Sequence, residues 1–122
     1  MGGRQATARR PGETAPSDLM GREIVIEPGG CTGWHYHRVP LMAVVTSGVL
    51  TRILADGGVE VHRVGDTFVE PAGTDHVHLG RNIGTDPIVL LVTCDLAEDA
   101  PFAVPAPPPR GAHPCGCPGH RR

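Results

Sequence analysis

The sequence predicts an all-β fold, a single domain of about eight short antiparallel strands closed into a sandwich or barrel. Three observations lead there. Short apolar runs rich in Val, Ile and Leu recur with a turn signal every few residues, and no segment has helical periodicity. Seventeen glycines and thirteen prolines favour many turns over long helices. At 122 residues the chain has room for one domain, and with only four aromatic residues its core must be mostly aliphatic.

Residues 1–20 are polar, rich in Gly, Pro, Ala, Thr and Arg, and read as a flexible arm. The first strand is expected at Arg22–Glu27, stopped by Pro28-Gly29-Gly30. A short strand at Trp34–His37 follows, then Leu41–Thr46 after Pro40, turned by Ser47-Gly48 into Val49–Leu54. Asp56-Gly57-Gly58 is a tight-turn signal leading to Val59–Val64. Gly65-Asp66 turns again into Thr67–Glu70. A strand at His76–Leu79 precedes the turn-rich stretch from Gly80 to Pro87. Ile88–Cys94, the most apolar run, is expected as a central strand buried on both faces. Seven prolines between Pro101 and Pro118 mark residues 101–122 as an extended, disordered tail, which leaves a folded domain at 21–100.

The chemistry begins at His35-Tyr36-His37. Side chains on a strand alternate faces, so His35 and His37 project together, about 7 Å apart along it. Two neutral imidazoles so placed can share a transition metal. Further ligands are sought in Pro71–His78, about 40 residues downstream.

Together these segments resemble the cupin superfamily, in its small single-domain form. The family's first motif is Gly, five residues, His-x-His, three or four residues, Glu, six residues, Gly. Gly29, His35, His37 and Gly48 match it, while the Glu falls on Leu41, or on Met42 at the longer spacing. The second motif is Gly, five residues, Pro-x-Gly, two residues, His, three residues, Asn. Gly65, Pro71, Gly73 and His76 match, whereas Asn82 lies six residues beyond His76 and four beyond His78. The resemblance implies a jelly-roll β-barrel with an interior pocket, and it carries His35, His37 and His76 over as metal ligands. His78 shares a face with His76 and is a possible additional ligand. Glu70 is another, as a replacement for the missing carboxylate. The cofactor implied is a divalent transition metal: Fe, Mn, Ni, Cu or Zn. Met42 and Arg52 are candidate pocket residues, an inward Arg52 being suited to a substrate carboxylate. Trp34 and Tyr36 should face away from the metal, and His62 should face solvent.

The function expected is a small metal-dependent enzyme, dioxygenase-like or isomerase/lyase-like, acting on a small oxygenated molecule held in the barrel. The alternative is a non-catalytic cupin that binds or senses a metal or small ligand, and a metal-free sugar-nucleotide epimerase ranks third. A net charge of −2 does not suggest a nucleic-acid partner. No apolar run reaches the ~20 residues of a membrane span, and the N-terminus has no signal-like apolar stretch. A cytoplasmic homodimer is expected, with Cys31 and Cys94 as free thiols. The tail carries a second His/Cys group, His113, Cys115, Cys117 and His120, whose Cys-x-Cys spacing is tighter than in most zinc sites.

Overall fold

The computed structural model describes residues 19–95 and 101–112. Nine strands and one short 3-10 turn make up this part: β1 (Leu19–Ile26), β2 (His35–Tyr36), β3 (Leu41–Ser47), β4 (Leu50–Leu54), β5 (Val59–His62), β6 (Thr67–Glu70), the turn Thr74–His76, β7 (His78–Arg81), β8 (Ile88–Asp95) and β9 (Val104–Pro105). They form two sheets, ordered β1-β8-β3-β6 and β5-β4-β7-β2-β9, and every pairing is antiparallel. This is the jelly roll expected from the sequence. None of the described helices is long and apolar enough to cross a membrane.

The inward-facing alternate residues of the first sheet build the core. Leu41, Ala43 and Val45 of β3 pack with Ile88, Leu90, Val92 and Cys94 of β8 and with Leu50 from β4. β8 is central, between β1 and β3, but it is not buried on both faces: Thr93 is exposed, and Val89 and Leu91 are half-buried. These alternate with the buried Ile88, Leu90, Val92 and Cys94. A smaller cluster on Trp34 and Leu79 covers the other sheet, with Ala112 packed against it.

Residues 101–112 are built into the fold rather than trailing as a disordered tail. β9 pairs with β2, and Ala106 N donates to Trp34 O at 3.0 Å. Prolines lack a donor and suit a sheet edge, which is where β9 lies. Cys31 is disulfide-bonded, not the free thiol expected, and Cys94 is buried. The group at His113, Cys115, Cys117 and His120 and most of the N-terminal arm lie outside the described residues.

Asn82 organises the loop before β8. Its buried Nδ2 donates to Ile26 O at 2.9 Å and Asp86 O at 2.8 Å, and its Oδ1 accepts from Gly84 N at 2.9 Å. Asn82→Ala deletes all of these and strands the buried Ile26 carbonyl, so it is expected to destabilise the protein by about 2–3 kcal/mol. Urea unfolding checks this; a loss under about 0.5 kcal/mol would mean that water replaces the amide at no cost.

Candidate metal centre

The site spans the two sheets. In the second sheet β2 lies against β7 with His35 directly opposite His78, so alternation puts both rings on the inner face. His37, two residues past His35, joins them. One ring nitrogen from each of His35, His37 and His78 lies within 4.8 Å of the others. The ring centroids are 4.3 to 5.2 Å apart. From the facing sheet, Glu70 at the end of β6 turns its carboxylate into the group. His37 Nε2 lies 3.0 Å from Glu70 Oε1, and His78 Nε2 lies 3.1 Å from Oε2.

Each imidazole is oriented from behind by a backbone carbonyl. The Nδ1 of His35, His37 and His78 sits 2.8, 2.9 and 2.9 Å from the carbonyl oxygens of Gly33, Phe102 and His76. A carbonyl can only accept, so each Nδ1 carries the proton, and in the neutral ring Nε2 is left with its lone pair. Fixing the tautomer in this way is how metal-ligating histidines are usually held.

The Nε2 atoms of His37 and His78 are buried and, although at ion-pair distance from Glu70, are not aligned for a hydrogen bond with it. Lone pairs of neutral imidazoles facing a carboxylate are acceptor against acceptor, and the clash is relieved by a cation, either a proton on Nε2 or a bound metal ion. The donor set of imidazole and carboxylate suits a divalent metal. The residues present therefore fit a metal.

Burial and the neighbouring His78 push the His35 imidazole down to about 4. Burial alone would raise Glu70, but the His37 and His78 nitrogens and the Arg52 charge outweigh it and hold the carboxyl well below the usual carboxylate range. Both shifts have one consequence for the metal-free protein. Between pH 6.5 and about 4 the unfolded chain takes up a proton at His35 that the folded chain refuses. Below pH 4.5 the unfolded chain also takes one up at Glu70. More protons on the unfolded state mean stability lost as pH falls. The unfolding midpoint of the metal-free protein is expected to drop steadily from pH 7 to 4, and His35→Phe should flatten the upper part of that slope. An equal slope in His35→Phe would sink this assignment.

Arg52, in the middle of β4, points inward as an inner pocket residue would, but its charge is already engaged. Its Nε is 3.0 Å from Glu70 Oε2 and its Nη1 is 2.6 Å from Glu60 Oε1. Hydrogen bonding from His62, against a smaller opposing effect of burial, and the Arg52 charge keep the Glu60 carboxyl low. His62, expected to face solvent, instead approaches Glu60 at 3.0 Å and stacks on Phe68 with ring centroids 4.2 Å apart.

The cavity at the centre is small, ≈50 Å³, with apolar walls that include Leu41, Leu50, Leu90 and Phe102. That is room for a ligand of a few heavy atoms, since one water occupies about 30 Å³ in the liquid. Arg52 and His78 also line a groove of ≈450 Å³ towards the outside, beside Asp56, Asp75 and His76.

Two expected positions are corrected. His76 lies in the 3-10 turn, exposed and outside the histidine group, and His78 takes the third place. The turn lengthens the loop after Pro71-x-Gly73 by two residues. Met42 is 54% exposed on the outer face of β3, because its neighbour Leu41 takes the inward phase. Trp34 is packed in the smaller cluster on Leu79, apart from the histidines. The signal for His78 was present in the sequence: it lies four residues before Asn82, the second motif's own His-to-Asn spacing.

The family model described as "Cupin domain" matches residues 22–94. No curated protein matches the sequence. Among solved structures, the DMSP lyase DddQ from Ruegeria pomeroyi superposes with a TM-score of 0.63 at 18% identity, over 75% of this chain and 45% of that one. An oxalate oxidase gives 0.60 at 23% identity, over 72% of this chain and 46% of that one. The present chain thus spans less than half of either enzyme. A conserved protein with a double-stranded β-helix domain from Klebsiella pneumoniae gives 0.61 at 21% identity, over 88% of this chain and 97% of that one.

Proposed function

The chain belongs to the cupin family, and we propose that it is a metal-dependent member whose His35, His37, His78 and Glu70 hold one divalent transition metal. The observation that carries this reading is the set of three carbonyl-oriented imidazoles, two of which, His37 and His78, bring buried Nε2 atoms to 3.0 and 3.1 Å from the Glu70 carboxylate. Such a metal would supply Lewis-acid or redox chemistry at its open coordination position. The protein's own residues fix the ligands and present apolar walls around a space that admits only a small molecule. Dioxygenase-like or lyase-like turnover of a small oxygenated compound is the activity we infer, in keeping with the lyase and the oxidase named above. Among the described residues, the cavity is lined by no ionisable side chain beyond the four donors and Arg52. Proton transfers would therefore fall to the donors or to the ligand, and this favours, as a second reading, a cupin that binds a small ligand without turnover.

The apolar outer face of the first sheet, with Val25, Met42 and Val69 about half exposed or more, supports dimerisation through that sheet. Disulfides persist chiefly in oxidising compartments, so the one at Cys31 weighs against a reducing cytoplasm.

Elemental analysis of the purified full-length chain tests the main reading. About one Fe, Mn, Ni, Cu or Zn per chain, lost in His37→Ala/His78→Ala, is the expected outcome. A wild-type chain that holds none of these metals after reloading overturns it.

A further inference from the structure

The network behind Glu70 has a shape that charge balance alone does not require. Arg52 is 5% exposed and sits between two carboxylates, one at the centre and one at the surface. Its guanidinium also lies over the Phe68 ring, 4.9 Å from the centroid, while His62 stacks on that ring. Glu60, directly opposite Arg52 in the β4–β5 register, is held in turn by His62. Five side chains therefore run from Glu70 to solvent, and each fixes the next. A planar guanidinium hydrogen-bonded through Nη1 to Glu60, charge-paired with Glu70 beside Nε and seated on a ring has little rotational freedom left.

We propose that Arg52 is a positioning residue of the metal centre, clamped by Glu60 and Phe68 so that its charge beside Oε2 holds the Glu70 carboxylate in its orientation toward the histidines. The proposal rests on the metal-binding reading above. It explains why a carboxylate is serviceable here from β6. Glu70 is the direct cross-strand partner of Leu41, where the family's first motif places its Glu, so it reaches the centre from the adjacent strand. From there its second oxygen needs an anchor of its own. Arg52 supplies that anchor at 3.0 Å from the neighbouring sheet. Without it, the Glu70 carboxylate loses the charge that holds Oε2 in place beside His78.

Cobalt(II) titration of the full-length chain, followed by visible absorption, tests the idea because band position and intensity report the coordination sphere. Arg52→Met should weaken Co(II) binding 10- to 100-fold, the usual effect of losing an outer partner of a ligand, and should shift the spectrum. Arg52→Lys keeps the charge but not the fork, and should recover part of the affinity with a spectrum still displaced. Glu60→Gln, on a half-exposed side chain, should move the spectrum in the same direction by less. Wild-type affinity and spectrum in both Arg52→Met and Glu60→Gln, with binding abolished in His37→Ala/His78→Ala, would overturn the proposal and leave the metal site standing. Lowered stability with unchanged Co(II) affinity and spectrum would overturn it equally. If Arg52→Met does not fold, Glu60→Gln alone decides, and an unchanged spectrum there counts against the proposal. Failure of the wild-type chain to bind Co(II), Mn(II), Fe(II) or Zn(II) would remove the metal reading and this inference with it.

Discussion

Glu70→Ala is expected to lower the stability of the metal-free protein by about 3–5 kcal/mol, the cost of stripping one partner from a buried ion pair. Arg52 Nε, buried, would face an empty space where Oε2 lay 3.0 Å away. His37 and His78 would lose the carboxylate that lies within 3.1 Å of each. Against a total of about 5–15 kcal/mol for a domain, that is a large fraction. The double variant Glu70→Ala/Arg52→Met removes both charges and should recover much of the loss, because an ion pair replaced by apolar groups is often close to neutral. Guanidinium unfolding of the two variants beside wild type checks the argument. A double variant no more stable than Glu70→Ala would show that the cost is the cavity, not the stranded cation.

Gly48→Ala should be comparably damaging for a reason that has nothing to do with charge. Gly48 turns β3 into β4 with φ +77°, a region L-residues rarely adopt. A Cβ there would lie 2.6 Å from Pro87 O and 2.9 Å from Ile88 Cα, both backbone atoms that cannot swing aside. Left-handed strain of about 1–3 kcal/mol and overpacking of about 1–3 kcal/mol act together, so a loss of about 3 kcal/mol or more is expected. Thermal and denaturant unfolding measure it. A loss under about 1 kcal/mol would mean that the start of β8 shifts readily, contrary to its fully buried Ile88.

The strand-rich class and the pair His35/His37 were legible because period-two alternation is a property of the chain itself. What alternation does not give is phase. It sets Leu41 and Met42 on opposite faces without saying which is inward, and Met42 fell on the outer one. Glu70 could be named but not placed, since its role depends on pairing Leu41 across two strands, a register no local pattern carries. His76 and His78 were separable only by the extra turn at Thr74–His76, which breaks the alternation ahead of β7. Nothing along the chain announces that Glu60 and Glu70 pair with Arg52 from two directions, so that its charge is engaged by the protein rather than left for a substrate carboxylate. Composition misled most at residues 101–112, where proline content suggested disorder while an open sheet edge beside β2 offered a seat.

That seat has a consequence for where the protein ends as a working object. The strands from β1 to β8 close both sheets without any help from β9, so a fragment cut after Asp95 keeps the main pairings of the barrel. Yet the acceptor that orients His37 is the carbonyl of Phe102, whose ring also walls the cavity. A cut after Asp95 would therefore spare the strand pairings while removing one orienting acceptor and one wall of the histidine site, so the shape of the barrel and the shape of its centre depend on different stretches of the chain.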